Sequence, residues 1–187
     1  MLQDPGGRSP APEPLRLVQA FVNTLDIEND VEELTSPEAL LATLIRIGAL
    51  DRRAEPLHDA DLRLALDTRE ALRSLTLANS GLPLRAAAVT TLERVSRAAQ
   101  LTLRFDEGRA RLEPTARGLD GALGRVLAVV HGAILDGTWS RLKGCPRDVC
   151  HWVFFDRSKN ASGRWCAMSV CGNRTNTRAY RQRAGQA

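Results

Sequence analysis

The chain has 187 residues, which corresponds to one ordinary domain or to one domain with a small additional module. Hydrophobic residues make up 43% of it and charged residues 26%, a composition that is typical of a soluble globular protein and excludes a fibre or a largely disordered chain. The net charge is +4, but the charge is unevenly distributed on the two sides of Trp139. Residues 139–187 contain ten Lys or Arg and two Asp or Glu, whereas residues 1–138 contain sixteen Lys or Arg and twenty Asp or Glu.

All four cysteines and all three tryptophans also lie after residue 138. The sequence therefore predicts a protein of two parts, a weakly acidic first part and a short basic second part. We expect the chemistry of the protein to reside in the basic part.

Residues 1–14 are rich in Pro and Gly and nearly devoid of apolar side chains, which predicts a disordered tail. The same residues lack the basic and apolar regions of a signal peptide. The longest uncharged stretch in the most apolar segment, residues 126–135, is far shorter than the ~20 residues that cross a membrane. We therefore expect a cytoplasmic protein with no membrane partner, in which clustered cysteines bind a metal more often than they form disulfides.

Residues 15–138 are predicted to form a helical domain large enough to bury its own core. One helix start is explicit, because Ser36 can act as the N-cap and Pro37 occupies the first helical position. Residues 101–105 and 109–113 flank a glycine-bearing turn and predict a β-hairpin. Helices are predicted from apolar periodicity at residues 15–22, 37–47, 59–79, 83–98 and 118–136.

The cysteines form two matched pairs, Cys145-x4-Cys150 and Cys166-x4-Cys171, with fifteen residues between the pairs. Two such pairs in a cytosolic protein favour one zinc ion bound by four thiolates, with a disulfide pair or an iron–sulfur cluster as alternatives. Four sulfur ligands leave no open coordination position, so the zinc would be structural rather than catalytic. A module of this size has a marginal core, and zinc contributes on the order of 10–16 kcal/mol in comparable peptides.

Residues 151–155 are aromatic and β-branched and predict a strand, and residues 164–168 predict a second strand after a turn rich in Asn, Ser and Gly. Residues 175–183 are predicted to form a short basic helix. The expected fold class is mainly α: a helical domain with a small β-hairpin, followed by a four-cysteine, zinc-ribbon-like finger made of a β-hairpin and a short helix. The expected divisions are a tail at 1–14, the helical domain at 15–138 and the finger at 139–187.

Basic and aromatic side chains alternate along the finger. This mixture is typical of nucleic-acid binding, in which cations contact phosphates and rings stack on bases. The alternative is that the rings form the small core of the finger and the arginines are only solvated. The candidate nucleic-acid contacts are Lys143, Arg147, Arg157, Lys159, Arg164, Arg174, Arg178, Arg181 and Arg183.

The finger sequence resembles the CGNR zinc finger, which is named after the tetrapeptide found here at residues 171–174. The resemblance covers residues 141–183 and includes Phe-Asp-x-Ser at 155–158 and Arg-Trp-Cys-x-Met at 164–168. It implies a bacterial protein that regulates transcription under stress or binds RNA through a zinc ribbon. It also places the metal ligands at Cys145, Cys150, Cys166 and Cys171.

The helical part resembles the ABATE domain that usually precedes this finger, in Phe-Val-Asn-Thr-Leu-Asp at 21–26 and Gly-Ala-Leu at 48–50. Two positions of the finger depart from the family pattern: Gly163 stands where an arginine is frequent, and Asn176 where a lysine is frequent. Both departures remove positive charge from the expected binding face.

Asn23 and Asp26 are polar residues of the Asn-Thr-x-Asp run at 23–26. One interpretation gives them a structural task, either helix capping or a buried hydrogen bond. The other interpretation is that they line a ligand pocket within the helical domain.

We therefore expect a transcription regulator whose finger contacts DNA, or alternatively RNA, while the helical domain binds a small-molecule effector or forms a homodimer. The alternative is an interaction module whose basic finger binds an acidic protein surface. An enzyme is not expected, because the sequence has no HExxH motif, no phosphate-binding glycine loop and no cysteine beyond the four of the finger.

Overall fold

A computed structural model describes residues 7–174 and Thr177. Among these residues, the helices are α1 (Leu15–Val22), α2 (Pro37–Arg46), α3 (Asp59–Ala78), α4 (Ala86–Ala98) and α5 (Gly118–Leu135). The strands form antiparallel pairs: β1 (Leu25–Asp26) with β2 (Val31–Glu32), β3 (Leu101–Asp106) with β4 (Arg109–Pro114), and β5 (Leu142–Gly144) with β6 (Val153–Phe155). Helices are the main elements, but hairpins occur in both parts of the chain, so the expected mainly α class fits the structure only roughly.

Local signals in the sequence explain several of these elements. The side chain of Ser36 accepts a hydrogen bond from the N–H of Ala39 at 3.2 Å, and Pro37 occupies the first turn of α2. The turn between β3 and β4 places Glu107 and Gly108 in the left-handed region of backbone conformation, which glycine tolerates best. Helix α2 and the β3–β4 hairpin therefore form where the sequence predicts them.

Helix α5 is the central element of the helical domain and packs against α1, α4 and β4. Within the described part of the chain it is the one helix that is long and apolar enough to cross a membrane, with a mean hydropathy of 1.4 over 18 residues. Its side chains Leu123 and Val126 are fully buried in the protein core. One face of α5 is thus part of the protein core.

The finger shares the core of the helical domain. Leu142 of β5 and Val153 and Phe155 of β6 are buried in the same cluster as Phe21 of α1 and Leu72 of α3. The helical domain supplies most of this core and the β5–β6 hairpin completes it, while the cysteines, Trp152 and Phe154 form a separate buried cluster. The division at Trp139 marks a change of composition, while the packing continues across it.

Buried hydrogen bonds reinforce this junction. The side chain of Asn23 donates to the carbonyl of Val153 at 2.8 Å and accepts from the N–H of the same residue at 2.9 Å. Arg73 of α3, which is 2% exposed, donates to the carbonyls of Val22 and His151 at 2.8 and 3.1 Å. The end of α1 is therefore bonded to β6 through Asn23, and α3 is bonded through Arg73 to α1 and to the residue His151 shortly before β6.

The strand pairing of the finger differs from the predicted one. Strand β6 pairs with β5, in the register Leu142 with Phe155, and residues 164–168 form no strand. The reason is that both edges of β6 are occupied. Strand β5 lies on one edge, and on the other edge Asn23 and Ser9 accept hydrogen bonds from the N–H groups of Val153 and Phe155. The segment after β6 is irregular, and its conformation is fixed by Asp156, which accepts from the N–H groups of Ser158 and Gly163 at 2.9 and 2.7 Å.

The first described residues are ordered, which corrects the prediction of a disordered tail for residues 7–14. Arg8 and Ala11 are 6% and 7% exposed. The carbonyl of Ser9 accepts from the N–H of Phe155 at 3.1 Å, and the N–H of Ala11 donates to the side chain of Gln19 at 2.7 Å. Composition predicted disorder because these residues have few apolar side chains, but hydrogen bonds to the finger and to α1 order them instead.

Candidate metal centre and basic groove

The four cysteines meet at one point of the finger. Cys145 directly follows β5, and Cys150 lies later in the connection between β5 and β6. Cys166 precedes a single helical turn at Met168–Gly172, and Cys171 lies within that turn. All four are buried, and their Sγ atoms all lie within 4.8 Å of one another. Spacing along the sequence predicted this cluster.

The cluster has the dimensions of a zinc site. Four thiolates at about 2.3 Å from a zinc ion are about 3.8 Å apart in a tetrahedron. The Sγ atoms of Cys150 and Cys166 are 3.8 Å apart, and those of Cys166 and Cys171 are 3.4 Å apart. No disulfide joins these cysteines, all of which lie among the described residues, and an iron–sulfur cluster would need a larger cage. The four cysteines can therefore hold one zinc ion, and as sole ligands they give it a structural role.

The four sulfur atoms are crowded, and a cation among them would offset the repulsion between thiolates. Contacts with the sulfur atoms of Cys145 and Cys166, together with burial, raise the pKa of Cys150 far above its ordinary value. Four thiolates cannot share this buried space without a positive charge among them. A divalent ion supplies that charge and keeps all four sulfur atoms deprotonated.

Two arginines donate hydrogen bonds to the sulfur atoms from outside. Nε of Arg8 lies 3.5 Å from Sγ of Cys166, and a guanidinium nitrogen of Arg147 lies 3.3 Å from Sγ of Cys171. A zinc ion with four thiolate ligands carries two excess negative charges, which two guanidinium groups offset. Arg8 also stacks on the ring of Trp152, with 4.7 Å between the guanidinium carbon and the ring centroid.

Glu28, in the turn between β1 and β2, connects this site to the helical domain. Its carboxylate accepts from Arg8 at 3.5 Å, from Arg147 at 3.3 Å, and from Arg174. The Glu28 side chain is 14% exposed, whereas that of Arg174 is 62% exposed. One carboxylate of the helical domain therefore faces three guanidinium groups around the metal site.

The structure corrects the expectation for Lys143, which is buried inside the finger. Its Nζ lies 2.8 Å from Oδ2 of Asp156 and 3.2 Å from the carbonyl oxygen of Gly163. Burial alone would raise the pKa of Asp156, but hydrogen bonds from Lys143, Ser158 and Gly163 outweigh it and lower that pKa to about 2. Lys143 is consequently half of an internal ion pair and is not available to a phosphate.

The arrangement around Asp156 also explains the glycine at position 163. A Cβ atom on Gly163 would lie 2.6 Å from Oδ1 of Asp156. The carboxylate cannot move aside without losing its bonds to Lys143 and to the backbone. Glycine at this position therefore permits close approach to the carboxylate, in addition to lacking the family's positive charge.

Three of the predicted basic residues come together in a groove of about 370 Å³ beside the first cysteine pair. Arg164 and Arg174 are exposed there, and the guanidinium of Arg164 lies 5.2 Å from the ring centroid of Trp165. Arg147 contributes a largely buried guanidinium group. The groove is lined by Pro146, Arg147, Asp148, Val149, Arg164, Trp165 and Arg174.

The remaining candidates lie elsewhere. Arg157 and Lys159 are exposed on the segment after β6, where Arg157 donates to the carbonyl of Pro10 at 2.9 Å and packs on the ring of Phe155. The last three predicted contacts, Arg178, Arg181 and Arg183, lie outside the described residues, as does the predicted basic helix at 175–183 apart from Thr177.

The structure corrects the pocket hypothesis for Asn23 and supports its structural alternative. Both polar atoms of the Asn23 side chain are bonded to the backbone of Val153. The carboxylate of Asp26 accepts from the backbone N–H and the side chain of Asn29 at 3.2 and 2.8 Å in the β1–β2 turn. Asn23 therefore joins two elements, and Asp26 shapes a turn.

Arg8 and Glu28 are the functional residues that the sequence did not reveal. Arg8 lies in a segment with the composition of a tail, and Glu28 lies in a turn among other acidic residues. Both act through contacts with residues more than a hundred positions away, for which a single sequence carries no local signal.

The geometry defines a zinc finger of the four-cysteine class, joined to a helical domain. The sequence profile of the family described as "CGNR zinc finger" matches residues 141–184, and that of the family "ABATE", described as "Putative stress-induced transcription regulator", matches residues 15–136. The second match spans more than half of the chain, so the chain belongs to the ABATE family and carries its C-terminal CGNR zinc finger. No curated protein matches the chain.

Proposed function

We propose that this protein is a cytoplasmic transcription regulator that contacts nucleic acid through the groove beside its zinc site. The observation that carries the proposal is the grouping of Arg164, Trp165 and Arg174 around one groove. Guanidinium groups that bind phosphates, next to a ring that stacks on bases, are the usual components of a nucleic-acid site. The description of the ABATE family points to the same class of function.

The zinc site supports this function by fixing the walls of the groove. Arg147 and Asp148 lie between the ligands Cys145 and Cys150, and Arg164 and Trp165 directly precede Cys166. Each wall is thus covalently tied to a metal ligand. A rigid scaffold allows exposed side chains to be held in a binding geometry at a small entropic cost.

The test is a titration of labelled oligonucleotides by fluorescence anisotropy at several salt concentrations. If about five phosphates are neutralised, log K falls against log salt with a slope of roughly −4.5 for a duplex or −3.5 for a single strand. Arg164→Ala and Arg174→Ala should each weaken binding and make the slope shallower by about one phosphate contact.

The matched controls are Arg104→Ala and Arg109→Ala, which remove exposed cations from the β3–β4 hairpin, outside the finger. Zinc content is measured for every variant, to show that the site is intact. Binding that does not respond to salt, or that the control variants weaken as much as the groove variants do, would contradict the proposal.

A second candidate function is an interaction module that binds an acidic protein surface. One observation favours it: Glu28, a carboxylate of the same chain, already contacts Arg147 and Arg174. Salt dependence does not separate the two functions, because charged protein interfaces are also sensitive to salt. Affinity capture with and without nuclease does, since protein partners that survive nuclease treatment favour this second function.

A further inference from the structure

We infer that the groove beside the zinc site binds one unpaired base, and that the preferred nucleic acid is therefore single-stranded. The inference rests on the proposed function and specifies its ligand. It follows from three properties of the groove: a stacking surface, a carboxylate among cations, and a concave shape.

The stacking surface is formed by Trp165 and Arg164. The guanidinium group of Arg164 packs over the Trp165 ring at 5.2 Å, and the ring is half-buried at the edge of the zinc site. An aromatic ring and a planar guanidinium group are the two protein groups on which bases stack when they leave a helix. Val149, which is 53% exposed, adds an apolar surface to the groove.

The charges of the groove favour a nucleotide over a simple anion as its ligand. Arg174, with 62% of its side chain exposed, can reach a phosphate. Arg147 is 19% exposed and is bonded to Cys171, so it contributes positive potential more than direct contact. Asp148 is exposed and lines the same groove.

A carboxylate repels a phosphate or an acidic peptide, but it accepts hydrogen bonds from the amino group of a base. Asp148 therefore favours a nucleotide over an acidic protein segment. The amino group of cytosine is the donor that Asp or Glu accepts most directly, so we expect cytosine to be preferred over thymine, which offers no amino group.

The concave shape excludes direct reading of a duplex by this surface. Proteins read base edges in a duplex with an element that protrudes into a groove of the nucleic acid. Here the ring of Trp165 lines a recess, which suits a base that has left its stack better than a base within a duplex. Extracting a base from a duplex costs a few kcal/mol, whereas a single strand presents its bases at a smaller cost.

The experiment compares an eight-nucleotide single strand, as DNA and as RNA, with the duplex of the same sequence, by anisotropy with the full-length zinc-loaded protein. We expect the single strand to bind at least tenfold more tightly than the duplex. Trp165→Leu should weaken single-strand binding by about 5- to 100-fold, and Trp165→Phe should retain most of it, since phenylalanine still stacks. Phe105→Leu, which changes a 78% exposed ring on the β3–β4 hairpin, should have no effect.

A second variant keeps the test decisive if Trp165→Leu loses zinc. Asp148→Ala changes an exposed side chain and should abolish the preference for oligo-dC over oligo-dT. Equal or tighter binding of the duplex, or an Asp148→Ala variant that discriminates as wild type does, would overturn the inference and leave the proposed function standing. Failure of wild-type protein to bind any of these nucleic acids would overturn both, whereas binding of either DNA or RNA single strands above duplex supports the inference.

Discussion

At the scale of single residues, Glu28 has two opposing effects. Its carboxylate stabilises the junction between the domains by pairing with Arg8 and Arg147, two largely buried arginines at the metal site. The same carboxylate lies on Arg174, which is exposed at the mouth of the groove. A carboxylate and a phosphate compete for the same guanidinium group. If the finger binds nucleic acid as proposed, we expect the helical domain to limit its affinity.

We therefore expect Glu28→Gln to bind nucleic acid more tightly than wild type, by roughly 1 kcal/mol or about fivefold, because Arg174 loses its competing anion. The variant should also have a free energy of unfolding lower by about 1–3 kcal/mol, because buried Arg8 loses a charged acceptor. It should therefore unfold at a lower urea concentration. Anisotropy and urea titration measure the two effects. Glu33→Gln is the matched control, since Glu33 pairs with Arg46 at a well-exposed position. Unchanged affinity for nucleic acid in Glu28→Gln would contradict the competition between Glu28 and a phosphate for Arg174.

Asn23 is the second residue at which one side chain has a large structural effect. It satisfies both the N–H and the carbonyl of Val153 in β6. The carbonyl also accepts from Gln19 at 3.0 Å, so it keeps a partner if Asn23 is removed, but the N–H does not. A buried N–H without an acceptor is the costly outcome.

Asn23→Ala should consequently lower the free energy of unfolding by about 1–3 kcal/mol. Urea denaturation followed by circular dichroism measures the change. Asn29→Ala removes an asparagine from the exposed β1–β2 turn and should shift stability by less than about 0.5 kcal/mol. Equal effects of the two substitutions would show that Asn23 contributes no more than a surface turn residue does.

At the scale of elements, the finger illustrates what a sequence can and cannot predict. The cysteine spacing predicted the metal site, and apolar periodicity predicted helices such as α3 and α5, because both signals are local. The pairing of β5 with β6 was missed, since Leu142–Gly144 is only three residues long and resembles a linker. The partner of a short strand depends on tertiary packing, here on the core that Leu142 and Val153 share with α1 and α3.

The segment after β6 depends on the network around Asp156 instead of on strand pairing. We expect Gly163→Ala to destabilise the protein by about 1–3 kcal/mol, because its Cβ would displace a carboxylate that Lys143 and backbone N–H groups hold in place. Thermal unfolding measures the loss. Gly132→Ala in α5 is the control: a Cβ there meets no atom within 4 Å, and alanine favours a helix by up to about 1 kcal/mol, so this variant should be slightly stabilised.

At the scale of the whole molecule, the shared core leads us to expect that the metal stabilises both parts. Leu142, Val153 and Phe155 belong to the finger by sequence and to the helical domain by packing. If the zinc site opened, the connection between β5 and β6 would lose its metal ligands, and we expect the packing of both strands in the shared core to weaken.

We expect removal of zinc by a chelator to lower the melting temperature of the entire chain in one transition, observed both by helical circular dichroism and by tryptophan fluorescence. The zinc-binding free energy, on the order of 10–16 kcal/mol in finger peptides, is large enough to affect the whole fold. Cys145→Ser should behave as the chelated protein does. A helical signal that melts unchanged while the tryptophan signal shifts would mean that the two parts fold independently.

The contacts of residues 7–14 have a consequence for the order in which parts of the protein fold. Ser9 bonds to Phe155, and Arg8 bonds to Cys166, which follows it by 158 positions. A ribosome makes residues 7–14 before the finger residues that they contact, so these contacts cannot form until the finger has been made. Contacts between distant parts of a chain also slow folding. We therefore expect residues 7–14 to reach their native position after the helices.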